Sequence, residues 1–282
     1  MRVVLLTTDA PAQRALARRI ADDRRLDLVG VAVQRLSSSR DVSWLRRNVR
    51  QPGKVVDRVL QRLLFLRTLR ALAAREREVF GDGPWPAVPR CVTDDVNGPL
   101  VLELIAACRP DAIAVSGTRM VRAPVFGTAP PRGLFNLHTG LSPYYKGGPN
   151  CTLWCLANGD PAHLGATVHV LDPGIDSGPL LKTVRTPVEA DDTVADLVAR
   201  TTTVGQAAYV QVLGAVADGV PIRALPQASL AEGRTYLNRE WDVRELARAV
   251  RFVRRGGLGA WIDDGRPGTP LLVDVMSPGP TP

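Results

Sequence analysis

Asn136 and His138 stand two residues apart in Phe135-Asn136-Leu137-His138. At strand spacing both project from the same face. An amide and an imidazole so placed can donate to a single oxygen beyond the strand end, where negative charge would develop during acyl transfer. The chain continues through Thr139-Gly140-Leu141-Ser142-Pro143-Tyr144-Tyr145-Lys146-Gly147-Gly148, a turn composition that lets backbone approach a ligand closely. Further on, Leu171-Asp172-Pro173-Gly174-Ile175-Asp176-Ser177-Gly178 offers two carboxylates between glycines. Asp176 can orient the imidazole or relay a proton from an attacking amine. No serine lies in a G-x-S-x-G turn and no cysteine has an evident base, so direct attack by a bound nucleophile fits better than a covalent acyl-enzyme.

The elements that must position these residues follow an α/β pattern. Arg2–Thr7 reads as a buried strand, Pro11–Asp23 as an amphipathic helix and Leu26–Val33 as a second strand, a β-α-β opening. Its first turn lacks G-x-G-x-x-G, which disfavours a dinucleotide site. A helix over Asn97–Cys108 leads to the strand Ala112–Ser116 and a turn from Gly117. Leu134–His138 is the next strand, Pro149–Asn158 a helix, Ala166–Leu171 a strand and Asp192–Ala217 a long helix. On the rule that open sheets bind ligands beyond the C-terminal ends of their strands, Thr118 and Arg119, His138 and Asp176 should meet at one rim. The expected fold is a doubly wound, mostly parallel Rossmann-like sheet. Its catalytic domain spans residues 1–220, followed by a C-terminal extension over 221–282. The extension contains a Pro-rich linker (Pro221–Ala231), a short strand at Gly233–Tyr236, a helix at Trp241–Arg254 and a disordered tail from Ser277.

The formal charge of +8 is confined to one region. Between Arg35 and Glu78 there are twelve Lys/Arg and four Asp/Glu, so the remainder is formally neutral and the basic character says little about the catalytic body. An insert over residues 36–90 holds this excess. Ser37-Ser38-Ser39 reads as loop, and Val55–Val79 as a helix. Val55, Val59, Leu60, Leu63, Leu64, Leu66 and Leu69 form an apolar stripe expected to dock on the domain, leaving a solvated basic face. Grips on an anionic substrate, RNA or an anionic membrane are the functional alternatives for that helix. The stripe and the C-terminal helix each also offer a surface for a homodimer. Cys91, Cys108, Cys151 and Cys155 form no CxxC pair and the three histidines no HxxxH pattern, so free thiols and no metal are expected. The N-terminus does not read as a signal peptide and no apolar run reaches spanning length, so a cytoplasmic protein is the default. His163 and His169 read as structural, and Trp154 as core.

Asn136-x-His138, Leu141-Ser142-Pro143-Tyr144-Tyr145-Lys146-Gly147 and Gly174-Ile175-Asp176-Ser177-Gly178 together resemble the 10-formyltetrahydrofolate-dependent formyltransferases, most densely over residues 111–181. The resemblance implies formyl transfer from 10-formyltetrahydrofolate, as cosubstrate, to an amine, with Asn136, His138 and Asp176 as the catalytic trio. It places the folate pterin against Gly117, Thr118, Arg119, Met120 and Val121, the turn Leu141, Ser142 and Pro143, and Leu171, Asp172 and Gly174. Tyr144, Lys146 and Gly147 would face the acceptor. Gly140-Leu141-Ser142-Pro143 departs from the family's usual Ser-Leu-Leu-Pro, and Tyr145-Lys146-Gly147 from Tyr-Arg-Gly. The short stretch after Trp241 is unlike the C-terminal domain of methionyl-tRNA formyltransferases. These features imply a small-molecule amine on a nucleotide-linked amino sugar or a natural-product intermediate. A methionyl-tRNA formyltransferase-like enzyme, a formyltetrahydrofolate hydrolase and a non-enzymatic RNA binder are the alternatives.

Overall fold

The computed structural model describes residues 1–36, 52–148 and 150–276; the expected Ser37–Ser39 loop and the tail from Ser277 lie outside them. Strands β1 (Arg2–Thr8), β2 (Asp27–Gln34), β3 (Arg90–Thr93), β4 (Ala112–Ser116), β5 (Gly133–His138), β7 (Gly165–Val170) and β8 (Leu180–Arg185) form a seven-stranded sheet in the order β3-β2-β1-β4-β5-β7-β8. The first five are mutually parallel. A second, two-stranded sheet pairs β6 (Tyr145–Gly147) with β9 (Arg234–Tyr236) in parallel. Helices α1 (Pro11–Asp22), α2 (Pro52–Phe80), α3 (Pro99–Cys108), the single turn α4 (Ala123–Phe126), α5 (Cys151–Ala157), α6 (Val194–Ala217), α7 (Val243–Arg254) and α8 (Gly257–Asp263) complete the described elements.

The period-2 alternation of the central strands explains which layer each side chain joins. Val3 and Leu5 of β1, Ala112 and Ala114 of β4, Phe135 and Leu137 of β5, and Ala166 and Val168 of β7 pack in one apolar layer with Leu16 and Ile20 of α1 and Tyr209, Val212 and Leu213 of α6. Val4, Leu6, Ile113, Val115 and Leu134 point the other way, against Val101 and Ile105 of α3. Each fully buried Leu, Ile or Val contributes about 1.5–3 kcal/mol, as an upper estimate. Helix α6 is fixed at its start by a capping box between Thr193 and Asp196. Its Tyr209 hydroxyl accepts from the Val115 N–H (2.8 Å) and donates to the Phe135 carbonyl (2.6 Å), tying β4 to β5 just behind the site.

Two expectations need correction. First, β7 runs antiparallel to β5, with Asn136 opposite His169 and His138 opposite Thr167. Its exit therefore lies at the N-terminal end of β5, where the Leu171 N–H donates to the Leu134 carbonyl (2.8 Å). Asp176 does not leave a strand at the shared rim; the β7–β8 hairpin loop folds back over the sheet face to reach it. Second, α2 does not dock by its leucine stripe. Val59, Leu60, Leu63, Leu64 and Leu66 are exposed, whereas Gln61 is buried and Phe65 packs inward.

The 221–231 stretch is held rather than loose: Gln227 is buried, and Leu180 and Leu225 exchange backbone hydrogen bonds. Beyond α8, backbone bonds from Thr183 N–H to Val273 O and from Val275 N–H to Leu181 O cover the outer edge of β8. Helix α7 and β9 bury Leu246, Ala249, Val250 and Tyr236 in one cluster with Trp154 and Leu156 of α5. The sequence reading omitted β3, β6, β8 and α8, all short or weakly patterned.

Candidate active site

Strand alternation that buries Phe135 and Leu137 on one side of the sheet necessarily turns Asn136 and His138 to the other. The same holds for Thr167 and His169 on β7, so pairing of the two strands sets four polar side chains on one face. That face is covered by the 139–148 segment and by the hairpin loop bearing Asp176. Thr167 Oγ1 donates to the Gly140 carbonyl (2.7 Å) and accepts from the Ser142 N–H (2.9 Å), which anchors the Leu141–Pro143 turn to β7.

Asp176 is the hub. Its Oδ2 lies 3.3 Å from His138 Nδ1 and accepts from the Gly147 N–H at 2.9 Å. Its Oδ1 accepts from Asn136 Nδ2 at 3.2 Å and lies 3.6 Å from His169 Nε2. Burial alone would raise the Asp176 pKa, but the lowering influences, led by the His138 charge, outweigh it and hold the carboxyl well below the usual range. It is therefore an anion at neutral pH. The residue sits at φ +46°, a left-handed conformation that side chains other than glycine adopt at a cost. Gln227 holds it there: the Nε2 donates to the carbonyls of both Asp176 (2.7 Å) and Gly178 (2.8 Å).

Both His138 ring nitrogens face oxygen: Nδ1 faces Asp176, and Nε2 lies 3.0 Å from the Tyr145 carbonyl. A carbonyl only accepts, so Nε2 carries a proton toward Tyr145. His169 Nδ1 lies 2.9 Å from the Val170 carbonyl, which leaves Nε2 to accept from Asn136 Nδ2 at 3.0 Å. Asn136 thus directs its two N–H bonds at His169 and Asp176, rather than outward as an amide waiting for an oxyanion.

Strand β6 lies between this cluster and the C-terminal segment. One backbone edge supplies the Tyr145 carbonyl to His138 and the Gly147 N–H to Asp176. The other edge pairs with β9, through Arg234 N–H to Tyr144 O and Gly148 N–H to Tyr236 O. Gly147 has φ +87°, and a Cβ there would overlap the Tyr236 carbonyl. Tyr145 and Tyr236 stack with centroids 5.1 Å apart, and Asn158 donates to both hydroxyls. Gly140, where the family's usual residue is serine, has no room: a Cβ would meet His138 Nε2, the Cys151 Cβ and the Tyr145 carbonyl.

The other sequence-assigned residues divide. Gly117 (φ +72°) turns the chain at the C-terminal end of β4, one position beyond the Ser116–Leu137 pair. Thr118 follows it, half-buried. The Arg119 N–H donates to Gln34 Oε1 (2.8 Å), the Met120 carbonyl accepts from Asn97, and Val121 is buried under β4. Leu141 and Pro143 are buried, and Ser142 Oγ is buried without a protein partner. Leu171 packs on the α3 layer. Asp172 is spent on its own loop, accepting from the Gly174 N–H and Ser177 Oγ. Tyr144 lies against His163, centroids 4.6 Å apart, and Lys146 sits half-buried on β6 opposite Thr235. His163 itself is bonded to Asp160, and Trp154 is core. Among the described residues there is no group of His, Cys, Asp and Glu suited to a metal. All four thiols are unpaired; burial, then the Asp176 charge, push the Cys151 thiol up, so it is no thiolate nucleophile. His169 and Gln227 were missed. The Ala166–Leu171 alternation shows that Thr167 and His169 share a face, but not that β5 would be their neighbour.

This mostly parallel α/β sheet carries a histidine–carboxylate–amide cluster on β5 and a returning loop, and residues 95–213 match the model of the "Formyl transferase" family. Asn136, His138 and Asp176 all lie inside the match. Among curated relatives, the methionyl-tRNA formyltransferase of Trichlorobacter lovleyi is 33% identical over 134 residues, which is 47% of this chain and 40% of that protein. That of Chlorobium luteolum is 28% identical over 196 residues, 67% and 61% respectively. The chain spans about half the length of the curated relatives it matches. The fold is shared with a glycinamide ribonucleotide transformylase from Symbiobacterium toebii (TM-score 0.54, 19% identity, 80% and 93% of the two chains). It is likewise shared with a sugar N-formyltransferase from a Shewanella species (TM-score 0.54, 12% identity, 88% and 87%).

Proposed function

We propose that this chain transfers a formyl group from 10-formyltetrahydrofolate to a primary amine on a small molecule, a nucleotide-linked amino sugar or a natural-product intermediate. The observation that carries the reading is the Asp176 carboxylate shared between His138 and Asn136, within the stretch that matches the family. The folate cosubstrate supplies an activated formyl carbonyl. Its pterin fits the Leu141–Pro143 turn, where Ser142 Oγ is buried and unpartnered, and the backbone of the Gly117–Val121 turn. Asp172 is a poorer contact because its oxygens are already engaged.

The His138 Nε2–H, held at rest by the Tyr145 carbonyl, is the donor for the formyl oxygen as negative charge grows on it. The Asp176 anion keeps that ring oriented. As the amine nitrogen bonds to the formyl carbon and the bond to the folate nitrogen breaks, one proton must leave the amine and one must reach the departing nitrogen. Asp176 and His138 are placed to carry that exchange. Asn136 becomes a donor to the same oxygen by releasing one of its bonds to His169 or Asp176. Lys146, next to the Gly147 N–H that holds Asp176, offers a cation to an acceptor phosphate.

A second reading, methionyl-tRNA as acceptor, is supported by the names of the curated relatives. Purified protein with 10-formyltetrahydrofolate is offered a panel of nucleotide-linked amino sugars, other amines and aminoacylated initiator tRNA, and products are read by mass spectrometry. Formylated small amines support the proposal. Product only on tRNA selects the second reading. Formate release at full rate without any amine would make the protein a hydrolase and overturn both.

A further inference from the structure

The first half of α2 docks by the face opposite to the one its composition favours. Val56, Val59, Leu60, Leu63 and Leu64 recur at i, i+3, i+4, i+7 and i+8, a single helical stripe, and every one is exposed, Leu63 by 74% and Leu64 by 66%. The docked face is carried by Asp57, Gln61 and Phe65 at i, i+4 and i+8. Asp57 Oδ1 accepts from the Val243 N–H at the start of α7, Gln61 Nε2 donates to Asp57 Oδ2, and Phe65 packs on the α7 cluster. Helices α2 and α7 then run side by side until Arg254 meets the Leu63–Thr68 segment. There a cavity of about 430 Å³ adjoins a second of about 420 Å³, and Arg67 and Arg254 line both. Neither arginine has an ion-pair partner among the described residues.

We infer that this face binds an anionic lipid surface, with the aliphatic stripe entering the headgroup boundary and Arg67 and Arg254 engaging lipid phosphates. The charge pattern selects this occupant. From 52 to 70 the sequence carries Lys54, Arg58, Arg62, Arg67 and Arg70 against Asp57 alone, and Asp57 is spent capping α7. A basic helix with a one-sided aliphatic stripe is the composition of interfacial helices on acidic membranes. Two copies meeting through the stripe would bring like charges together. RNA would gain nothing from five exposed aliphatic side chains, and no aromatic ring lies in the stripe to stack a base.

The full-length protein is sedimented with vesicles of phosphatidylcholine alone and of phosphatidylcholine containing one third phosphatidylglycerol. Binding to the acidic vesicles should exceed binding to the neutral ones by about tenfold or more and weaken as salt rises. The double substitution Leu63→Ser with Leu64→Ser should reduce it by a similar factor, because apolar burial is lost. Arg67→Gln with Arg254→Gln should lower the preference for acidic vesicles while leaving the thermal melting profile unchanged. All four side chains are exposed, so folding should persist, and the melting profile checks this. Absence of vesicle binding, equal binding by the leucine variant, a stripe-dependent dimer in light scattering, or tRNA competing away an otherwise leucine-independent attachment would each overturn the assignment.

Discussion

Replacing Gln227 by leucine keeps the side-chain bulk and removes the amide that holds the Asp176 loop. Gln227 is 6% exposed, so the two carbonyls it serves, Asp176 O and Gly178 O, have little water to turn to. Leaving a buried acceptor unpaired costs about 1–3 kcal/mol, and a loop already holding a left-handed Asp176 will relax rather than bear two such penalties. Relaxation moves the carboxylate away from His138 and Asn136. If the held conformation loses about 1–2 kcal/mol relative to open ones, the ratio of held to open forms falls by a factor of roughly 5–30. Formyl transfer should fall by the same factor through kcat, with little change in the KM for the folate. The assay is steady-state formyl transfer, paired with amide hydrogen exchange over residues 172–178, where protection should drop in parallel. Wild-type turnover with unchanged exchange in the variant would refute the reasoning. Lost turnover with unchanged exchange would show that Gln227 acts otherwise than by holding the loop.

Four further outcomes follow from the site. His138→Asn should lower turnover about 10²–10³-fold, the typical cost of losing an oxyanion donor, with folate binding by titration retained. Asp176 has a depressed folded-state pKa, so its contribution to stability is complete above the ordinary carboxylate value of about 3.9 and is lost as pH falls below it. Chemical denaturation of Asp176→Asn at pH 7 and again below about pH 3.9 should accordingly show a smaller loss on acidification than the wild type. Gly140→Ser, which restores the residue usual in the family, should reduce activity here because the new side chain meets His138 and Tyr145; a gain in activity would contradict the geometry. Gly147→Ala should lower the melting temperature by several degrees, since it combines a left-handed φ with overlap on the Tyr236 carbonyl.

The catalytic candidates were legible because strand alternation is local. The spacing of Asn136 and His138 fixes their common face whatever the rest of the chain does, and β1, β4, β5 and α6 are marked by apolar runs or periodicity that tertiary packing then uses. Asp176 was found by its motif, but its route was not. Strand direction depends on partner choice, and nothing in the Ala166–Leu171 alternation tells a parallel neighbour from an antiparallel one. His169 was set aside for the same reason, since its role comes from lying opposite Asn136. Gln227 stood in a Pro-rich stretch that reads as linker, and only its contacts to carbonyls 49 and 51 residues earlier give it a place. Helix α2 was recognised as a helix, but its orientation about its own axis depends on Asp57 meeting the start of α7, a contact no periodicity encodes.

His138 and Asp176 meet β6 through a carbonyl and an N–H, not through its side chains. Exchange of the Lys146 side chain would leave both of those main-chain contacts in place. Under the proposed function, acceptor preference would therefore be free to drift on this strand while the chemistry next to it stays constant, a separation that would let one scaffold be retargeted to new amines by single substitutions.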